Sequence, residues 1–271
     1  MYESYWQFTQ KPFEHGADPR FFFSSEAHRA VMLQIRYAIE THAAAALLLG
    51  PGGTGKTLLL HLLKNDLPET CSPLVHIVFP QMSTEELLAY IADEFGAPLS
   101  AERTVRDSVR RLQTFLTDNA QQGRHAVLVV DEAHLIDDVA TLEALRLMLN
   151  FEVNSQPCLT LLLLGQSPLL SMIGRCQPLE ERLSVKCVLR PLTLDETAAY
   201  VNHRLAAAGV PHPVFDAAAM LALHEQSRGI PRRINRLCDL ALLVGYADEQ
   251  PAIGSHQIES VSRELTVATA E

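Results

Sequence analysis

The segment AAAALLLGPGGTGKTLLLHLL, residues 43–63, restricts the fold of this chain more than any other stretch. Its opening run of seven apolar residues is far shorter than the roughly 20 that span a bilayer. It suits a strand buried on both faces of a parallel sheet. GPGGTGKT, at 50–57, fits G-x-x-x-x-G-K-[ST], and the LLLHLL after it predicts an apolar helix. Gly52, Gly53 and Gly55 let the backbone curl until its N–H groups converge on phosphate oxygens without Cβ clashes. The helix adds the positive end of its dipole. Lys56 is placed to reach the β- and γ-phosphates, and the Thr57 hydroxyl to ligate Mg2+. The expected nucleotide-binding set is Gly50, Pro51, Gly52, Gly53, Thr54, Gly55, Lys56 and Thr57.

A second apolar run, AVLVV at 126–130, ends in DEAH. A buried strand here carries Asp131 to its C-terminal edge, to hold Mg2+ mostly through water, while Glu132 orients and deprotonates an attacking water. His134 is read as closing the strand end or packing locally. The letters DEAH also name a helicase box. A helicase of that class needs a second recombinase-like domain, and too little chain follows Asp131 to build one. A GTPase would carry an NKxD-type base-reading motif, and none occurs.

Apolar runs and amphipathic stretches alternate along the chain. Strands are predicted over 45–49, 74–79, 126–130, 159–164 and 185–189. Helices are predicted over 26–41, 55–66, 102–121 and 139–151, with a short one after the fourth strand. Another starts at Ser83-Thr84-Glu85-Glu86, hydroxyls and acids that suit a helix N-terminus. This order predicts an α/β fold, a five-stranded parallel sheet with helices on both faces. From Pro191 strands stop, and helices over 194–208, 215–226, 231–246 and 255–265 predict a small all-helical lid. The expected organisation is an aromatic arm at 1–25, a nucleotide-binding domain at 26–190 and the lid at 191–271. The arm's rings are expected to pack it onto the domain, and a place beside the nucleotide base stays open for it.

A formal net charge of −10 opposes a polyanion, which argues against nucleic acid as the main partner. The five cysteines lack metal-ligand spacing, and no HExxH occurs among the eleven histidines, so no zinc site is expected. Scattered thiols in a chain of this size are read as reduced, in a cytoplasmic protein. MYESYWQF lacks the cationic start and apolar core of a signal peptide, and no transmembrane segment is expected.

A nucleotide domain followed by a helical lid resembles the AAA+ superfamily of P-loop NTPases. MYESYWQFTQKPFEHGADPRFFF, GPGGTGKT, VVDEAH, LLLLGQSPLL, LRPLTLDETAAYV and GIPRRINRLCDLALL occur in order over nearly the whole chain. Together they resemble the ExeA-type ATPase family of the general secretion pathway A group. The GxPRxIN pattern and the KPF…DPRFF arm are the specific part of the match. The resemblance implies ATP and Mg2+, a homo-oligomer, and protein partners in secretion, pilus biogenesis or exopolysaccharide export. Membrane association would come through those partners. It gives Gln166 the first sensor position, near the γ-phosphate, and Arg232 the second, which couples that phosphate to lid closure; Arg233 is the weaker bearer. It makes Arg182 an arginine finger acting on a neighbouring subunit, with Arg175 in reserve and a salt bridge to Glu180 or Glu181 as the structural alternative. Pro51 stands where the family often has Glu. Longer members continue into a membrane span and a peptidoglycan-binding module, so anchoring and wall contact are expected to be absent here or to fall to partners.

The leading expectation is a Mg-dependent ATPase that assembles or remodels a protein complex. A DNA-associated ATPase of the transposition-regulator type and a nucleotide-dependent binding switch without turnover are the alternatives.

Overall fold

The computed structural model describes residues 2–14, 16, 18–98 and 104–267. The chain divides into two compact units, one of His28–Gly52 and Lys56–Leu189, the other of Met1–Ala27, Gly53–Gly55 and Arg190–Glu271.

The α/β unit runs α1 (Glu26–Glu40), β1 (Ala45–Leu49), α2 (Lys56–Asp66), β2 (Leu74–Ile77), α3 (Thr84–Glu94), α4 (Val105–Gln121) and β3 (Ala126–Val130). It continues with α5 (Val139–Met148), β4 (Glu152–Val153), β5 (Gln156–Pro157), β6 (Leu159–Gly165), α6 (Pro168–Ile173), α7 (Gln177–Glu180) and β7 (Leu183–Val188). Five strands pair in parallel in the order β2-β3-β6-β1-β7. The central three, β1, β3 and β6, are buried at every residue. Unbroken apolar sequence is what such double burial requires. On one face Leu47, Leu128, Val130 and Leu161 join a core with Leu88 and Ile91 of α3, Leu112 and Leu116 of α4 and Leu142 of α5. The alternate residues Ala46, Leu48, Val127, Val129, Leu162 and Leu164 are equally buried and point to the opposite face.

The predicted elements are all present, and their ends shift for local reasons. Helix α2 starts at Lys56 because Gly55 has φ +103°, outside the helical region. Strand β2 ends at Ile77, and Val78 and Phe79 beyond it are exposed. Helix α4 starts at Val105, capped by Thr104; positions 102 and 103, predicted as its start, lie outside the described residues, as do 268–271 of the lid. Helix α5 stops at Met148, before an antiparallel hairpin, β4–β5, that the sequence reading did not contain. Its turn residues Asn154 and Ser155 both have positive φ, +51° and +61°, which matches the right-handed twist of the two arms. Edge strand β7 exposes Ser184, Lys186 and Val188. That alternation breaks up the apolar run and hides the true start at Leu183. Ser83 forms a capping box with Glu86 at α3, as the sequence suggested.

His125 leads into β3 with its ring stacked on His42 at 4.0 Å and its Nε2 2.8 Å from Thr160 Oγ1. Burial, then the nearby His42, pushes its pKa down to about 4 from the ordinary 6.5. Above pH 6.5 the ring is neutral in both folded and unfolded chains and costs nothing. As pH falls through the interval from 6.5 to 4, the unfolded chain takes up a proton that the folded chain refuses. Stability therefore drops, by about 3 kcal/mol in total from this group. Urea midpoints at pH 7 and pH 5 should differ, and His125→Gln should shrink that difference; an unchanged difference contradicts the assignment.

The helical unit contains α8 (Leu194–Ala207), α9 (Ala217–Ser227), α10 (Pro231–Ala247) and α11 (Ser255–Val267). Capping-box residues Thr193 and Glu196 start α8, and Asp216 caps α9. The aromatic arm is part of this unit's core: Tyr2, Trp6, Phe8 and Phe13 pack with Val201, Leu223, Ile234 and Leu242. Trp6 Nε1 donates to the Leu242 carbonyl at 3.0 Å. The Arg204 guanidinium donates to the carbonyls of Pro12 (2.6 Å) and Glu14 (2.9 Å) and lies 4.8 Å over the Phe21 ring.

Candidate active site

Strand β1 delivers the chain into the glycine loop, where Gly50 N–H donates to the Gly165 carbonyl at the end of β6 (3.1 Å). Gly53 has φ +85°, a conformation that strains any side chain. Lys56 opens α2 and is 5% exposed. Its Nζ turns back onto the loop, donating to the carbonyls of Gly50 (2.8 Å) and Pro51 (3.2 Å). A desolvated ammonium seated on carbonyl dipoles gains far more from an anion, so the loop is built to receive one.

Across the sheet, β3 ends at Val130 and presents Asp131, 2% exposed. Thr57 Oγ1 donates to Asp131 Oδ2 at 2.6 Å, and the Glu132 N–H donates to Asp131 Oδ1 at 2.8 Å. His76, from β2, places Nε2 3.5 Å from Asp131 Oδ2. Burial pushes the Asp131 carboxyl up, but the close approach of His76 and the hydrogen bonds from Thr57 and the Glu132 amide outweigh it and hold the carboxyl below its ordinary value. The group stays ionised, as a metal ligand must. Strand β6 lies between β1 and β3, so Gln166, immediately after it, emerges between loop and carboxylate.

Glu132 sits at φ +47°, ψ +35°, a left-handed conformation costly for a non-glycine residue and commonest where function requires it. Its Oε2 lies 3.4 Å from His134 Nδ1, and His134 Nε2 lies 3.2 Å from Gln166 Nε2. A Cβ added at Gly52 would stand 3.8 Å from that same Gln166 nitrogen. The α/β unit thus brings together Gly52, Lys56, Thr57, Asp131, Glu132 and Gln166, all predicted from sequence. His76 and His134 were not. Nothing in the periodicity marked them, because their importance comes from strand order and from the turn after β3.

Arg232 belongs to the helical unit, where its N–H donates to the Gly53 carbonyl at 3.2 Å. A Cβ at Gly53 would meet the Arg232 Cβ at 2.7 Å, a second reason for glycine there. Arg182 follows α7 and donates to Asn150 Oδ1 at 2.5 Å. Its acidic neighbours are engaged elsewhere: Glu180 pairs with Lys186 at 2.7 Å and Glu181 accepts from Gln177 at 3.1 Å.

The donor set fits a magnesium–nucleotide complex: an ionised buried carboxylate beside a hydroxyl, a buried ammonium and a loop of free-turning glycines. Glu132 Oε2, His76 Nε2 and His134 Nδ1 are also buried without a hydrogen bond.

Residues 39–173 match the AAA domain family. The chain is 33% identical over 274 residues to general secretion pathway protein A of Aeromonas hydrophila, covering 100% of this chain and 48% of that protein. It therefore spans about half the length of the curated relative it matches. Among solved structures, the ORC2 protein of Aeropyrum pernix superposes with a TM-score of 0.67 at 14% identity, covering 95% of this chain and 72% of that one. The Thermotoga maritima RuvB Holliday junction branch migration motor gives 0.61 at 20% identity, covering 94% and 73%. These two share the fold. Among the described residues no helix is long and apolar enough to cross a membrane.

Proposed function

The chain belongs with the AAA-domain proteins homologous to general secretion pathway protein A, and from that relationship we propose that it is a Mg-dependent ATPase driving assembly or remodelling of a protein complex in cell-envelope export. The observation that carries this reading is the 2.6 Å bond from Thr57 to Asp131, with Glu132 next in the chain. The loop amides of 50–57 and the Lys56 ammonium would grip the triphosphate. Thr57 and Asp131 would hold a magnesium ion, which supplies charge neutralisation to the phosphates. Glu132 would orient the attacking water and accept its proton as the bond to the γ-phosphorus forms and the β–γ bridge breaks. Gln166 would report the γ-phosphate, Arg232 would couple it to the helical unit, and Arg182 would act on a neighbouring copy in a homo-oligomer. The protein would work on the cytoplasmic side, reaching the membrane through its partners.

One observation favours a DNA-associated reading: Lys11, Arg232, Arg233 and Arg236 line a cleft of about 760 Å3 in the helical unit, together with Glu14 and Asp239. The net charge of −10 weighs against it. Two assays separate the readings. Phosphate release should require ATP and stop when EDTA removes magnesium; release that persists in EDTA contradicts the metal assignment. Duplex DNA should show no retention in a low-salt gel; retention that fades with added salt would transfer the proposal to the DNA-associated class.

A further inference from the structure

We infer that His134 is a positioning residue, a hydrogen-bond bridge that sets the orientation of Glu132 according to what Gln166 binds. It rests on the ATPase reading of the same site. The imidazole lies between the two groups, 3.2 Å from Gln166 Nε2 through its own Nε2 and 3.4 Å from Glu132 Oε2 through Nδ1. An amide N–H facing Nε2 makes that nitrogen the acceptor. The ring proton then belongs on Nδ1, the side that faces the carboxylate. The line of donors runs one way, from Gln166 through His134 to Glu132.

Local structure fixes the ring in that place. The left-handed Glu132 leads into a single 3-10 turn, Ala133–Leu135, closed by Leu135 N–H on the Glu132 carbonyl (2.8 Å). Ala133 is fully buried, which anchors the turn. The turn sets the His134 backbone against the end of β6: a Cβ at Gly165 would lie 3.4 Å from His134 N.

The bridge is strung but not closed. Nδ1 and Glu132 Oε2 are both buried without a hydrogen bond, an arrangement that a small approach would relieve. The Gln166 carboxamide has two N–H groups, and it stands beside Gly52 as well as beside His134. One N–H can hold the imidazole while the other meets an anion in the loop. A γ-phosphoryl group that fixes the Gln166 amide would therefore fix the imidazole, close the Nδ1–H bond and hold Glu132 in one orientation toward water. With the phosphoryl gone, the amide swings freely and Glu132 loses its director.

The test has a part that does not depend on turnover. 15N NMR of the full chain, with His134 assigned by comparison with His134→Gln, should show the proton on Nδ1. A proton on Nε2 overturns the bridge whatever the enzyme's activity. Steady-state kinetics then read the consequence: His134→Ala should lower kcat about 10-fold or more while ATP affinity stays within about threefold, the pattern of a misplaced catalytic group. His134→Asn keeps a donor at the Nδ1 position and should recover part of kcat. His134→Gln places its amide where Nε2 was and should not. Parental kcat in His134→Ala, or equal recovery by both amides, overturns the inference. A parent protein that releases no more phosphate than Glu132→Gln instead defeats the ATPase reading, and the tautomer alone then decides the bridge.

Discussion

Lys56→Ala lowers ATP affinity by about 100-fold or more and leaves the folded chain intact. The ammonium is nearly buried and already aimed along the inside of the loop, on the carbonyls of Gly50 and Pro51. On phosphate binding it would exchange neutral dipoles for formal negative charge, the larger gain by far. Removing it takes away the side-chain cation at the head of α2 and leaves the glycine loop with only its amides to offer the triphosphate. The fold should tolerate the change, because alanine is the better helix former. Calorimetric titration with ATP, beside a thermal melt, separates the two effects. Affinity within threefold of the parent would contradict the cradle assignment.

Arg182→Ala should bind ATP normally and lose hydrolysis by about 1000-fold, the scale on which a trans-acting arginine stabilises phosphoryl transfer. In the single chain Arg182 bonds to Asn150, while Glu180 and Glu181 have other partners. Among the described residues no ion pair absorbs its charge, which suits a residue that completes another copy's site. Complementation decides the matter. Glu132→Gln subunits carry an intact Arg182 but lack the water-handling carboxylate, and Arg182→Ala subunits carry the reverse. Mixtures should regain a share of parental activity. Mixtures as inactive as either parent variant would argue against action across an interface.

The central strands and the glycine loop were legible in the sequence because burial on both faces leaves an unbroken apolar signal, as in 45–49 and 126–130. Edge strand β7 was less so, since alternate exposure of Ser184 and Lys186 dilutes it. Hairpin β4–β5 escaped because two-residue arms are too short to show a period, though the Asn154-Ser155 turn was there to be read. In the site, residue types announced Lys56, Thr57, Asp131 and Glu132, whose chemistry is tied to fixed neighbours in sequence. The contact of Thr57 with Asp131 spans 74 residues and joins segments that follow β1 and β3, two strands that β6 separates in the sheet. His76 and His134 depend on that tertiary arrangement. A histidine beside an acid is too common a pattern to be recognised without it. The burial of Trp6 against α10 likewise joins distant ends of the chain through aromatic packing that has no local signature.

The central claim is that Glu132 performs the chemistry on a nucleotide held by the loop. Phosphate release from saturating Mg-ATP, measured for the parent and for Glu132→Gln at equal ATP occupancy, tests it most directly. The parent should turn over about 100-fold faster or more, the usual contribution of a positioned base, while both proteins bind ATP alike. Equal rates from the two would contradict it.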